Sequence, residues 1–278
     1  MKDVESQVRE FYDREGWVID DKGKTGEDRI FRDQGESRAA YDEKIKRRTV
    51  DRFDGLTGSL LIAGCGDLPD NHFFIAEKFA KVVCVDISWR ALAISQSKLG
   101  ARSEYHKVSI LALPMPDESF DAVFCAHVLY HIDKKVQENA VRELIRVVKP
   151  GGRIVILYRN GGAPMNLLQR LWQACRFDWL LGTHKLYLFS YPRSWWSQFG
   201  GSCRIEIMPT DVLSPGQLSV FLPTEALRKR FFRWVTRFED QHPAVARRLW
   251  AYSMIVLDKL PASHTTVPAS DAAGHRRY

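Results

Sequence analysis

Between residues 58 and 158, short apolar runs alternate with stretches whose apolar residues recur at helical spacing. Ser59–Ala63 reads Ser-Leu-Leu-Ile-Ala, and Lys81–Val85 runs up to Asp86. Tyr105–Ile110 is a weaker third run, Ala122–Ala126 a fourth and Arg153–Tyr158 a fifth. Unbroken Val, Ile, Leu and Cys runs suit strands covered on both faces, as in a parallel sheet. Before the fifth run, Val136, Ala140, Val141, Leu144, Ile145 and Val148 form one helical stripe. Lys149-Pro150-Gly151-Gly152 then stops that helix and turns the chain into the next strand. Strand–helix–strand repeats close by right-handed crossovers, so the pattern predicts an α/β fold with a doubly wound, mostly parallel sheet.

The flanks read differently. Residues 1–55 are polar, with helical stretches at 2–14 and 37–53 separated by Gly16, Gly23, Gly26 and Gly35, which predicts an N-terminal helical cap. In an insertion at about 161–190, Leu168, Leu171, Trp172, Cys175 and Trp179 share one stripe. That inserted apolar helix is core, a pocket wall, a dimer face or a shallow membrane contact. Residues 191–260 read as a helix, a strand at Arg204–Met208, two helices and a last strand at Tyr252–Lys259, bringing the sheet to seven strands and the main domain to 56–260. Within them, Leu227, Phe231, Trp234, Val235 and Phe238 are expected to face the body, with Arg228, Lys229, Arg230, Arg233 and Arg237 outside. Residues 261–278 carry almost nothing to bury and read as a disordered tail.

Composition narrows the classes. With 278 residues, 45% hydrophobic and 27% charged, the chain can bury one large core. No apolar run approaches the roughly 20 residues that span a bilayer. The first residues lack the apolar segment of a signal peptide. The 5 cysteines are scattered without Cys-x-x-Cys spacing, which argues against a disulfide framework or a zinc site and for the reduced cytoplasm. The net charge of +7 permits anionic partners without demanding them. No RNA-recognition motif, zinc knuckle or helix-turn-helix pattern occurs, so nucleic acid is disfavoured as a substrate. A homodimer and a peripheral membrane contact stay open.

The candidate chemistry starts at Gly64-Cys65-Gly66, at the carboxyl end of the first strand. Glycine there lets the chain bend sharply and a ligand approach without a Cβ in the way. Asp86 follows 20 residues after Gly66, at the end of the second strand, where a carboxylate can accept from two ribose hydroxyls. A dinucleotide site wants a third glycine at position 69, which is Pro69. A ligand with a ribose but no phosphate fits better, and S-adenosylmethionine is the foremost choice.

At this point the sequence resembles a family. Leu61-Ile62-Ala63-Gly64-Cys65-Gly66, Val85-Asp86-Ile87-Ser88, Leu113 through Asp121, His127-Val128-Leu129-Tyr130-His131 and Arg146 through Gly152 are similar, in order, to the motifs of class I S-adenosylmethionine-dependent methyltransferases. The similarity is greatest to the small-molecule branch called type 11 and covers about residues 56–160. The resemblance implies that Gly64, Cys65 and Gly66 pass close to the methionine part of the cofactor. It implies that Asp86 holds the ribose hydroxyls, Ile87 packs on adenine, Ser109, Ile110 and Leu111 flank the adenine ring, and Ala126 and His127 form the floor under the sulfonium. Two positions depart from the family pattern: Ile62 and Ser109 stand where acids are common. Asp67 or a backbone carbonyl would take over the role missing at Ser109.

His127 and His131 follow the fourth strand, beside the methyl to be transferred, and their i, i+4 spacing puts both on one face of a helix. A hydroxyl acceptor needs a base, and histidine suits that near neutral pH. His127 is the expected base, while His131 also reads as a cap on the turn before Asp133. Position 128 is valine, so the His-Glu-x-x-His zinc pattern is absent and no metal is expected. Tyr12, Trp17 and Tyr41 are placed as a lid, and Arg47 or Arg48 against the methionine carboxylate. The expected activity is methyl transfer to oxygen or nitrogen of a small, partly apolar molecule. Its rivals are a membrane-surface quinone or lipid methyltransferase and a non-catalytic cofactor-binding scaffold.

Overall fold

The computed structural model describes residues 3–27, 36–168, 186–214, 217–218 and 221–261. Its centre is a seven-stranded sheet of β1 (Ser59–Ala63), β2 (Lys81–Asp86), β3 (Ser103–Lys107), β4 (Phe120–Ala126), β5 (Val148–Arg159), β6 (Cys203–Pro209) and β7 (Tyr252–Lys259). The order is β3-β2-β1-β4-β5-β7-β6. The first five strands pair in parallel, and β7 runs antiparallel between β5 and β6. The doubly wound sheet expected from the apolar runs is therefore present.

Alternation of side chains divides the core between the two faces. Leu61, Ala63, Val83, Val85, Val123 and Cys125 point to one face, where α5 (Gln137–Val147) packs Ala140, Val141, Leu144 and Val147. Leu60, Ile62, Val82, Cys84, Ala122 and Phe124 point to the other, under α3 (Asp70–Ala76) and α4 (Trp89–Leu99). Ile62 is fully buried here, so the position where the family often has an acid serves packing. A third cluster joins α2 (Glu36–Val50), α6 (Glu225–Gln241) and α7 (Pro243–Leu249) through Tyr41, Ile45, Phe232, Val235, Ala246 and Trp250.

Two boundaries differ from the sequence expectation. β3 stops at Lys107, because its neighbour β2 ends at Asp86 and offers no further ladder partner. Val108–Leu111 leave the sheet and turn, with the Ala112 amide donating to the Ser109 carbonyl at 3.2 Å. The Lys149-Pro150-Gly151-Gly152 segment does not end a helix. The helix stops at Val147, and these residues bulge out of β5 between the pairs Phe120–Val148 and Ala122–Arg153. The inserted stripe from Leu171 through Trp179 and the tail beyond 261 lie outside the described residues.

Chain order reverses between β1 and β4, which pair side by side. Ligands of open α/β sheets bind outside the carboxyl ends of the strands at such a switch point.

Candidate active site

At the end of β1, Gly64 and Gly66 take φ values of 72° and 55°, in the left-handed region that favours glycine. A Cβ on Gly64 would stand 2.2 Å from a methyl of Val128, just past β4, and one on Gly66 would stand 2.9 Å from the Trp17 ring. The absent side chains therefore let the ends of β1 and β4 and the N-terminal segment converge. Between the glycines, the Cys65 thiol is buried; hydrogen bonding to Cys84 and burial hold it well above the usual thiol range.

Asp86 is the last residue of β2. Its Oδ2 accepts from the Gly66 amide at 3.0 Å and its Oδ1 from the Ser88 amide at 2.9 Å. Burial pushes its carboxyl up to about 6 against those two donors. Ser88 caps α4 and donates its hydroxyl to Asp13. Ile87, Val108, Ser109, Ile110 and Leu111 continue the same cavity wall. The Ser109 hydroxyl donates at 2.5 Å to Glu5 of α1 (Val4–Phe11) and accepts from the Leu111 amide at 3.2 Å. A carboxylate thus stands at the position that the sequence leaves without one. It comes from the N-terminal helix, which no local motif indicates. Asp67, the substitute expected from sequence, also lines the cavity.

Beyond the glycines lie Ala126 and His127. His127 has a φ of 62°, uncommon outside glycine and found among Asn, Asp and His. Its amide donates to the Leu157 carbonyl at 3.0 Å. Its ring meets Tyr252 at 5.6 Å and Tyr130 at 6.1 Å, both nearly edge to face. Burial raises the pKa of both phenols, so each keeps its hydroxyl hydrogen at neutral pH.

His131 lies 4.5 Å from the Tyr130 ring and 6.1 Å from Tyr12. It does not cap the turn before Asp133: its Nδ1 contacts the Tyr187 carbonyl at 2.7 Å. A carbonyl only accepts, so Nδ1 carries the proton and Nε2 the lone pair. Burial pushes this imidazole down to about 4. The residues from Leu129 to His131 form a single 3-10 turn, so the two histidines do not share an α-helical face.

The lid forms only in part. Tyr12 and Trp17 line the cavity, stacked at 5.1 Å. Tyr41 instead donates to Glu239 at 2.5 Å and to the Thr210 carbonyl at 2.6 Å, behind α2. Arg48 binds Glu239 at 2.8 Å, and Arg47 is exposed; neither lines the cavity. The α2 residues that do are Arg38, Asp42, Glu43, Ile45 and Lys46. Arg38 is buried, donating to Asp42 at 2.8 Å and to Asp211. Burial pushes Asp42 up to about 6, with Arg38 opposing. Residues 36–50 are so polar that sequence pattern gives no reason to choose among them.

The lining groups enclose one cavity of about 1140 Å³, above the roughly 300–1,000 Å³ of typical small-molecule clefts. Its lining runs from Glu5, Ser109 and Asp86 past the glycines to His127, Tyr130, Tyr252, Arg38 and Asp211.

Residues 61–156 match a family model described as a methyltransferase domain, of type 11. That match likens residues 61–156, not the whole chain, to methyltransferase domains. The chain is 34% identical over 120 residues to a ubiquinone/menaquinone biosynthesis C-methyltransferase UbiE of Hahella chejuensis, covering 40% of this chain and 47% of that relative. The UbiE of Escherichia fergusonii matches at the same identity and coverage. The chain thus spans about half the length of the curated relatives it matches. Among solved structures, phosphoethanolamine N-methyltransferase 2 of Haemonchus contortus shares the fold at a TM-score of 0.57 and 16% identity, covering 91% of this chain and 60% of that one. The N-methyltransferase NodS of Bradyrhizobium japonicum, solved with S-adenosyl-L-homocysteine, does so at 0.54 and 11%, covering 94% and 100%.

S-adenosylmethionine is the methyl donor of this methyltransferase family, and the residues fit it. Gly64 and Gly66 hold open a backbone cradle that any Cβ would fill. Asp86 presents a half-buried carboxylate whose two oxygens accept from the Gly66 and Ser88 amides and keep further lone pairs for hydroxyls.

Proposed function

We propose that the protein transfers a methyl group from S-adenosylmethionine to an oxygen or nitrogen of a small, partly apolar organic acceptor, with residues 1–55 as a cap over a body of residues 56–260. The observation that carries this reading is the continuity of the cavity. One wall holds the cradle and Asp86, and the other holds an imidazole between two aromatic rings.

In this reading, Gly64, Cys65 and Gly66 approach the methionine part, Asp86 accepts from the ribose hydroxyls, and Ile87, Ser109, Ile110 and Leu111 border the base. The cofactor supplies a methyl group made electrophilic by the sulfonium. The remaining work falls to the chain. Ala126 and the strained turn at His127 fix the floor where cofactor and acceptor meet. The His127 imidazole takes the proton from an acceptor hydroxyl as its oxygen attacks, help worth about 10²–10⁴ in rate. His131 stays neutral and presents Nε2 as a hydrogen-bond acceptor, which makes it a positioning group and a poor base. Tyr130, Tyr252 and Tyr12 supply apolar walls with polar tips, and Trp17 and Tyr12 keep water from the cradle.

A second reading is methylation at a ring carbon. The UbiE relatives support it through their name, although the matched span is the cofactor-binding part of the fold. Incubation with S-adenosylmethionine carrying an isotopically labelled methyl, against panels of phenols, amines and quinols, tests both. Product mass spectrometry locates the label on oxygen or nitrogen under the first reading and on carbon under the second. Cofactor binding without transfer to any acceptor would favour the scaffold reading.

A further inference from the structure

Of the face expected from its sequence to be buried, helix α6 buries Val235, packs Phe231 and Phe238 half-buried against the third cluster, and leaves Leu227 and Trp234 exposed. Phe232, Val235 and Glu239 point inward. Leu227, Phe231, Trp234 and Phe238, spaced i, i+4, i+7 and i+11, form a second apolar stripe about a quarter turn away. Leu227 is 49% exposed and Trp234 51% exposed. The Trp234 ring lies 5.0 Å from Phe238, so the stripe is continuous. Helix α7 extends it with Val245 and Leu249, also exposed.

The cations around this stripe are unbalanced. Lys229, Arg230, Arg233, Arg237 and Arg248 are exposed, and none has an ion-pair partner among the described residues. The Arg247 Nε is buried without a hydrogen-bond partner there. From Ala226 to Arg248 the only acids are Glu239 and Asp240. Both are engaged inward, Glu239 with Tyr41, Arg48 and Trp250, and Asp240 with Lys44.

We propose that this face of α6 and α7 docks the protein on an anionic lipid surface. A helix with an aromatic and aliphatic stripe and arginine and lysine flanks that outnumber its acids Glu225, Glu239 and Asp240 matches an element lying in the membrane interface. Charge complementarity selects the occupant. A second copy would set these cations against themselves across a two-fold axis. Nucleic acid would engage the arginines but leave Leu227, Val245 and Leu249 without a role. Helix α6 packs on α2, whose Arg38 and Asp42 line the cavity, so the docked face lies one helix away from the site. The assignment is independent of the reaction in that cavity.

Flotation of the full chain with vesicles tests it. The protein should float with phosphatidylglycerol/phosphatidylcholine vesicles, not with phosphatidylcholine alone, and lose binding as salt rises. Trp234→Ser should lower the vesicle partition coefficient several-fold, and the combined Arg230→Glu, Arg233→Glu and Arg237→Glu variant by at least about tenfold. Both alter exposed side chains, so their circular-dichroism melting curves should stay close to wild type. Were the charge-reversal variant to fail to fold, Trp234→Ser and the salt titration carry the same test. Absence of flotation with anionic vesicles, equal flotation with neutral ones, or indifference to the stripe and charge variants would overturn the proposal. So would a dimer that Trp234→Ser dissociates, or binding of an RNA or DNA oligomer that the charge reversal abolishes while vesicle flotation persists.

Discussion

In the proposed reaction Asp86 and His127 divide the chemistry, and each makes a separate prediction. Loss of a hydrogen bond to a charged group costs roughly 1.5–3 kcal/mol, so Asp86→Ala should weaken S-adenosylmethionine binding by about that much in titration calorimetry. With its carboxyl pushed up to about 6, Asp86 protonates on mild acidification and loses acceptor capacity. Cofactor affinity should therefore fall as pH drops below about 6, and Asp86→Asn should flatten that dependence. For His127 the test must respect the backbone. Asparagine also tolerates positive φ, so His127→Asn removes the base without adding strain. Turnover on a hydroxyl acceptor should drop at least about tenfold with cofactor affinity within a few-fold; unchanged turnover would remove the base assignment. His131 has the opposite sign to Asp86 in stability. Burial holds its folded pKa at about 4, below the ordinary imidazole value of 6.5, so the unfolded chain binds the extra proton between those values and stability falls as pH drops through that window. The thermal midpoint of wild type should lose more from pH 6.5 to pH 4 than that of His131→Asn, the pair difference isolating this group from Asp86 and Asp42, which shift the other way.

The turn after β1 shows what a single element contributes. Gly64→Ala would force a Cβ to 2.2 Å from Val128 at a φ of 72°. Overpacking costs about 1–3 kcal/mol and left-handed strain about 1–3 kcal/mol, so chemical denaturation should show a loss of that order. Val128→Ala in the same chain should recover the steric part and leave the strain. This element was legible in the sequence because its signal is local: two glycines, then an acid at fixed spacing. Helix α6 was legible as a helix and only partly in its facing: Val235 is buried as expected, whereas Leu227 and Trp234 are exposed. Its two apolar stripes compete, and the tertiary contact with Tyr41 and Ile45 of α2 chooses Phe232 and Val235. The ends of β3 and the bulge of β5 depend on where the neighbouring strand stops, which no window of sequence contains.

Across the whole molecule, strand order brings together groups that sequence keeps far apart. Glu5 reaches Ser109, 104 positions later, and Arg38 reaches Asp211, 173 positions later. Neither pair carries a sequence signal, so of the candidate site only the parts set by local motifs, the glycine turn and the spaced Asp86, were legible in advance. Among the described residues no helix is long and apolar enough to cross a membrane. The most direct measurement of the central claim is titration calorimetry of the full chain with S-adenosylmethionine and with S-adenosyl-L-homocysteine. The account predicts saturable binding of both, a single cofactor per chain, weakened by Asp86→Ala and insensitive to NAD as competitor. Absence of binding, or affinity that Asp86→Ala leaves unchanged, would contradict it.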